Sequence, residues 1–340
     1  MTRNLPEQRP AFCPSVSVII PVYNGAETIA ACLESLLQQE YPAGAYDVIV
    51  VENGSTDNTS RIVEKYPVRL FHSEKRGPAS ARNFGLAQSQ ADIIAFTDAD
   101  CIADPNWLAE LVKPYAEAEI GGVGGSILAH VHPAQTLVEK FSEEHSPLVN
   151  FISGAGEFLP HLYTANASYR RPLLEAVGGF NACLITGEDV DLAWRLQLQN
   201  RVRLGFASQA IIYHQHRSTK AGLARQYRQY GFGEILLDTL YGKHSGYPRT
   251  RGFQLRRILS QMAALPRYAI SVLLRQTRLM LKQINRYEAT APALWFLIES
   301  NNVRGKLDAL FATRFMTDAR PILQTEAAIL ITRYFPQGKE

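Results

Sequence analysis

Four short apolar runs, each followed by a polar turn and then by residues at helical spacing, constrain this chain more than any other feature. Val16–Ile20 lies between Pro14 and Pro21, and Val48–Val51, Val68–Phe71 and Asp92–Thr97 repeat the type. Such runs are too short for helices and rich in β-branched residues, which is the signature of strands buried on both faces. Between them Ile29, Cys32, Leu33, Leu36 and Leu37 recur at helical spacing, Ser60–Lys65 offers a shorter helix, and Pro78–Gln88 opens with proline in its first turn. The alternation predicts an α/β fold in which helices cover both faces of a parallel sheet and ligands bind at the carboxyl ends of the strands.

The pattern loosens after a helix near Pro105–Ala118. Strands are expected at Val123–Leu128, Leu162–Tyr169 and Ile211–Tyr213, with a helix at Asp189–Gln199. From about Lys220 onward helical spacing dominates. No run of about 18 apolar residues is present to span a bilayer, and Met1–Pro14 lacks the apolar stretch of a secretory signal. The cysteines Cys13, Cys32, Cys101 and Cys183 lie far apart with no Cys-x-x-Cys pair, which suits a reducing, cytoplasmic setting.

Charge is divided unevenly along the chain: residues 1–240 hold 19 basic and 26 acidic side chains, residues 241–340 hold 16 and 6. The basic C-terminal region suits either an anionic lipid surface or a solvated helical face. Nucleic acid is not expected as a partner, because no recognised basic motif accompanies the charge.

The chemistry-bearing residues fall at strand ends. Asp98-Ala99-Asp100 closes the fourth strand, and two carboxylates one residue apart suit a hard divalent cation that shares a diphosphate. A turn or cap is the plain alternative for such a pair in isolation. Glu52-Asn53-Gly54-Ser55-Thr56-Asp57 ends the second strand with a carboxylate and a polar turn. Pro21-Val22-Tyr23-Asn24 supplies an aromatic face after the first, and Arg76 and Arg82 are suited to phosphate or base. Glu188-Asp189 offers a general base or, more plainly, an acidic first turn of a helix. His214 and His216 point to the same side of a late strand. Cys101 reads as a small buried residue.

Taken in order, Val18-Ile19-Ile20-Pro21-Val22-Tyr23-Asn24, Val51 through Asp57, Ala81-Arg82-Asn83 and Asp98-Ala99-Asp100 resemble the family 2 glycosyltransferases of GT-A fold. Thr164 through Arg171, Val177-Gly178-Gly179-Phe180, Gly187 through Leu192, and Arg195 are similar to the acceptor-side pattern of that family. The resemblance covers roughly residues 15–235. It implies a mixed, mainly parallel sheet, with a nucleotide-sugar half at 15–128 and an acceptor half at 129–235. An N-terminal arm at 1–14 precedes them and a basic helical appendage at 236–340 follows.

By the same resemblance Pro21, Tyr23, Glu52, Asn53, Arg76, Arg82, Asp98 and Ala99 would line the nucleotide-sugar, with Tyr23, Glu52 and Arg82 around the base and Asp98 near the ribose. Asp100 would hold a divalent metal, Mn2+ or Mg2+, with His214 or, as second choice, His216 as a further ligand. Asp189 would be the base, Glu188 would orient or help bind the acceptor, and Asn166 and Arg195 would lie on the acceptor side. Two departures stand out: Glu52 replaces the Asp of many relatives, and no Q-x-x-R-W motif is present, Arg225-Gln226-Tyr227-Arg228-Gln229-Tyr230 being a partial echo. The implied activity is non-processive, inverting transfer from a UDP-sugar to a carbohydrate or lipid-linked hydroxyl in surface polysaccharide or glycolipid synthesis. Its setting would be cytoplasmic, with peripheral contact on the inner membrane face as an extension. A sugar nucleotidyltransferase and a non-catalytic nucleotide-sugar-binding protein are the rival readings.

Overall fold

The computed structural model describes residues 12–145, 148–150, 158–184, 186–249 and 251–313. Most of the expected N-terminal arm, and the end of the C-terminal region beyond residue 313, lie outside them. In chain order the elements are β1 (Val16–Val22), α1 (Ile29–Leu37), β2 (Tyr46–Glu52), α2 (Thr59–Val63), β3 (Arg69–His72), α3 (Pro78–Ala87) and β4 (Ile93–Phe96). Then come β5 (Cys101–Ala103), α4 (Trp107–Val112), β6 (Ile120–Ala129), α5 (Leu137–His145), β7 (Ala167–Arg170), α6 (Arg171–Ala176), α7 (Glu188–Asn200) and β8 (Arg203–His214). Three long helices follow, α8 (Lys220–Tyr241), α9 (Arg251–Met280) and α10 (Arg286–Thr313).

The strands form one eight-stranded sheet in the order β3-β2-β1-β4-β7-β6-β8-β5. β3, β2, β1 and β4 are mutually parallel, β7 runs against β4 and β6, and β5 runs against β8. Parallel pairing aligns the carboxyl ends of the first four strands on one rim, so the loops carrying Tyr23, Asn53, Arg76 and Asp98 emerge together.

Alternation along β1 shows why its residues are nearly all apolar. Val16, Val18, Ile20 and Val22 enter a core with α1 and α4, while Ile19 enters a second core with α3 and α7. Successive side chains point to opposite faces, and both faces are covered, so a position is apolar or, like Ser17, has its hydroxyl paired, here with Asp47 and Ser89. Trp107, fully buried, anchors the first core; Leu192, Ala193 and Leu196 of α7 close the second.

Two local expectations change. The segment expected as a strand over Leu162–Tyr169 becomes a 3-10 turn at Thr164–Asn166 before β7 begins. Asn150 explains the break, since its carboxamide accepts from the Tyr163 amide and donates to the Asn166 carbonyl, taking backbone groups that a ladder would use. α8 also runs unbroken through residue 235, where the sequence suggested a boundary. Phe232, Ile235 and Leu236 of α8 share an apolar cluster with Trp194 of α7 and Val303 of α10, which ties the C-terminal helices to the sheet domain. α8 and α10 touch at Gly231 and Gly305, where any Cβ would overlap the facing backbone carbonyls of Asn302 and Arg228.

Candidate functional site

An open cleft of about 1180 Å³ runs along the rim of the sheet and is lined by Pro21, Tyr23, Asn53, Arg76, Arg82, Asp98, Ala99, Asp100, Glu188, Asp189 and His214, among others. Most of the residues singled out from the sequence therefore meet in one place.

On one side the loops after β1 and β2 are cross-tied. Asn24, in left-handed backbone, donates its amide to Ser55 Oγ (3.0 Å) and accepts from the Thr56 amide (2.8 Å). The Gly25 amide donates to Thr59 Oγ1 and the Ala26 amide to Asp57. Burial alone would raise the Asp57 pKa, but bonds from Thr59 and Ala26 hold it below the usual carboxylate range. Asn53 links this loop to the next, donating to the Lys75 carbonyl and accepting from the Gly77 amide. Arg76 lies over the Tyr23 ring, 5.8 Å from its centroid, so an aromatic face and a cation stand together at the cleft wall.

Glu52 takes a different place from the one expected. Its carboxylate is buried, accepts from the Ser55 amide and meets His72 Nδ1 at 3.1 Å, and it does not line the cleft. Burial opposes ionisation, yet the bonds from Ser55, His72 and Gly54 lower its pKa overall. Glu52 thus braces the turn through Ser55 and His72.

At the centre is Arg82, inside α3 and 4% exposed. One terminal nitrogen donates to Asp98 at 2.8 Å and the other to Glu188 at 2.8 Å, while the guanidinium sits over the Phe180 ring. Burial would depress its pKa, but Asp98, Glu188 and Asp189 together raise it, so the charge is held. Glu188 and Asp189 begin α7 after Gly187, which has φ of 78° and reverses the chain there. The helix amino end favours both carboxylates, which lie in its first turn. Burial is the main reason that both are harder to ionise than usual; the Asp189 charge further opposes ionisation of Glu188, while Arg82 works the other way on both. Both border the cleft, but Glu188 is buried against Arg82 whereas Asp189 is only partly buried.

Pairing of β5 with β8 sets Cys101 opposite His214, which brings Asp100 beside the imidazole. Asp100 Oδ1 lies 3.6 Å from His214 Nε2, and Oδ2 lies 3.3 Å from Arg217. Asp100, Cys101 and His214 present ligand atoms within 4.8 Å of one another, the one such cluster among the described residues. His214 Nδ1 is also buried with no hydrogen-bond partner among those residues. The Asp100 oxygen and the His214 Nε2 beside it are a donor set that fits a divalent metal, and mixed oxygen and nitrogen ligation suits manganese. Cys101 is buried as expected, and burial with Asp100 and Asp98 nearby pushes its thiol pKa up, so it is the poorest ligand of the three. His216 lines the cleft with its ring 5.5 Å from that of His214, and burial, reinforced by His214, lowers its pKa to about 4.

Asn166 and Arg195, expected on the acceptor side, do not line the cleft. Asn166 is fully buried, donates to the carbonyls of Ser126 and Ala210, and accepts from the Trp107 indole at 2.8 Å. Arg195 donates to Asp191 and to the carbonyls of Val177 and Gly179, fixing the bend before α7. All of these bonds are internal, so both side chains hold the fold. Gln226, Tyr230 and Arg257, from α8 and α9, also line the cleft. Gln226 donates to Tyr230 four residues on, within the Arg225–Tyr230 stretch that partly echoes the Q-x-x-R-W motif.

Comparison with known proteins bears on this geometry. The sequence pattern that defines Glycosyl transferase family 2 matches residues 17–178. Glycosyltransferase AglE of Haloferax volcanii is 34% identical over 230 residues, 65% of this chain and 73% of that protein. The Pre-mycofactocin glycosyltransferase of Mycobacterium tuberculosis is 32% identical over 222 residues, 62% of this chain and 45% of that protein. Among solved structures, a mannosyltransferase of Pyrobaculum calidifontis, in complex with GDP-Man and Mn2+, superposes with a TM-score of 0.54 at 23% identity. That superposition covers 89% of this chain and 88% of the other.

Proposed function

We propose that this chain, which belongs to glycosyl transferase family 2 and has the GT-A fold, moves a sugar with inversion from a nucleotide-diphosphate sugar to an acceptor hydroxyl. The observation that carries this reading is the Arg82 bridge, which joins Asp98 on one wall of the cleft to Glu188, next to Asp189, on the other. Tyr23, Asn53 and Arg76 would receive the nucleoside, and Asp98 the ribose. Asp100 and His214 would hold a divalent cation, whose chemistry is to neutralise charge on a diphosphate. The Pyrobaculum mannosyltransferase carries GDP-Man and Mn2+, which supports a metal-assisted donor.

Asp189 is the base in this reading. It takes the proton of the acceptor hydroxyl as that oxygen bonds to the anomeric carbon, and the bond from that carbon to the diphosphate oxygen breaks on the opposite face. Glu188, sealed against Arg82, orients the helix end rather than exchanging protons with substrate. A carboxylate whose ionisation is opposed by burial is a stronger base than one in water, which suits Asp189 to the task. The acceptor would enter past Gln226 and Tyr230, and a carbohydrate or lipid-linked alcohol of surface polysaccharide or glycolipid synthesis is the class proposed.

Thermal denaturation with UDP or GDP, each with and without Mn2+, tests donor binding, and Asp189→Asn tests the base. One nucleotide should stabilise the protein only when Mn2+ is present. Asp189→Asn should retain that stabilisation and lose transfer by on the order of 100-fold or more. Loss of nucleotide binding in the same variant would assign Asp189 to the donor and refute its role as base.

A further inference from the structure

Helix α9 shows the reverse of an ordinary surface helix. Its inward side is formed by Ile258, by Gln261, which bonds Glu299 and Lys306 of α10, and by Tyr268, stacked on Trp295. The opposite side carries Leu255, Leu259, Met262, Ile270, Leu273 and Leu274, with exposures from 45% at Met262 to 71% at Leu273. Their spacing of three and four residues, completed by Pro266, puts them on one stripe. A helix bordering water would place polar residues there.

Arg256, Arg267 and Arg278 flank this stripe. They recur every eleventh position, close to three full turns, so they form a row about a quarter-turn round from the leucines. All three are exposed. Between Asp238 and Glu288 the chain contains no carboxylate at all, while Lys243, Arg249, Arg275, Lys282 and Arg286 add to the positive charge.

We propose that α9 is an interfacial helix that seats this protein on an anionic lipid surface, its leucine stripe among the acyl chains and its arginine row at the phosphates. Apolar contact and charge act together in such a helix, and neither is sufficient alone. Charge complementarity selects this occupant: an identical helix from a second copy would bring cationic flanks against cationic flanks, without the opposite charges that pair helices. Nucleic acid would leave the leucines in water. No helix of the described residues is long and apolar enough to cross a membrane, so α9 lies on the surface rather than through it.

Orientation follows from the same helix. Arg257, next to Arg256, pairs with Glu234 and lines the cleft, so the lipid stripe and the cleft wall are separated by about one helix diameter, roughly 10–12 Å. Resting on the transferase reading, this places the acceptor end of the cleft beside the bilayer, where a lipid-linked hydroxyl is held.

The test is co-sedimentation of the full chain with phosphatidylcholine vesicles prepared with and without phosphatidylglycerol. Strong binding to the anionic vesicles, weakened by salt, is expected. Arg256→Gln/Arg267→Gln/Arg278→Gln should lower partitioning by on the order of 100-fold, and Leu259→Ser/Ile270→Ser/Leu273→Ser should abolish it. Circular dichroism and nucleotide-dependent thermal shifts should stay as in the parent, which separates failure of docking from failure of the transferase reading. Equal binding to both vesicle types, or unchanged binding by the leucine variant, would overturn the proposal. So would a dimer in vesicle-free solution that dissociates in the leucine variant, since the stripe would then belong to a second copy.

Discussion

Replacing Arg82 with methionine removes the charge that joins the two walls of the cleft while keeping much of the aliphatic volume. The guanidinium contacts Asp98 and Glu188 at 2.8 Å each, with side-chain exposures of 4%, 31% and 8% for the three residues. Asp98 can turn to water and contributes little to the loss. Glu188 cannot, and stripping the cation from a buried pair costs about 3–5 kcal/mol. The expected deficit should depend on pH. Burial, followed by the neighbouring Asp189, already raises Glu188 from its ordinary value of 4.5 to about 7, against the pull of Arg82. A carboxyl raised in the folded state binds its proton more tightly there than in the unfolded chain. Its contribution to stability is therefore full below 4.5 and declines as pH rises towards 7. Without Arg82 the folded-state value moves higher, and the decline continues through neutral pH. Urea denaturation of Arg82→Met should accordingly show a deficit of about 3–5 kcal/mol near pH 8, falling to about 1–2 kcal/mol near pH 5. Adding Glu188→Gln should recover most of the loss at pH 8. A deficit of equal size at both pH values, or no recovery in the double variant, would refute the electrostatic reasoning.

Three further outcomes are expected. Asn166→Leu should cost about 3 kcal/mol or more in chemical denaturation, since it orphans the Trp107 indole and the carbonyls of Ser126 and Ala210 in the core. Gly125→Ala should destabilise by about 2–4 kcal/mol in the same assay, because its Cβ would fall inside contact distance of the Ala210 carbonyl and the Asn166 carboxamide. His214→Ala should abolish the Mn2+-dependent part of nucleotide stabilisation in thermal shift while leaving urea stability within about 1–2 kcal/mol of the parent; unchanged metal dependence would remove His214 from the metal site.

The wall of the cleft built from the strand-end loops was legible because its information is local. A buried parallel strand writes its own limits in a continuous apolar run, and parallel pairing then puts every following loop on one rim. Tyr23, Asn53, Arg76 and Asp98 could be assembled on paper from that rule and from the family resemblance. β5 was not legible, being three residues long and defined only by its partner β8.

Residue identity, by contrast, did not tell which polar groups face the cleft. Glu52, Asn166 and Arg195 have the chemistry of ligand contacts, yet their hydrogen-bonding groups are taken up by backbone and neighbouring side chains. Periodicity reports how strongly an element is buried and on which side, because that depends on solvent alone. Which neighbour each side chain meets depends on sheet register and on helix docking. The junction of Arg82 with Glu188 across 106 residues, the pairing that sets Asp100 beside His214, and the entry of α8 into the cleft were therefore decided by tertiary structure.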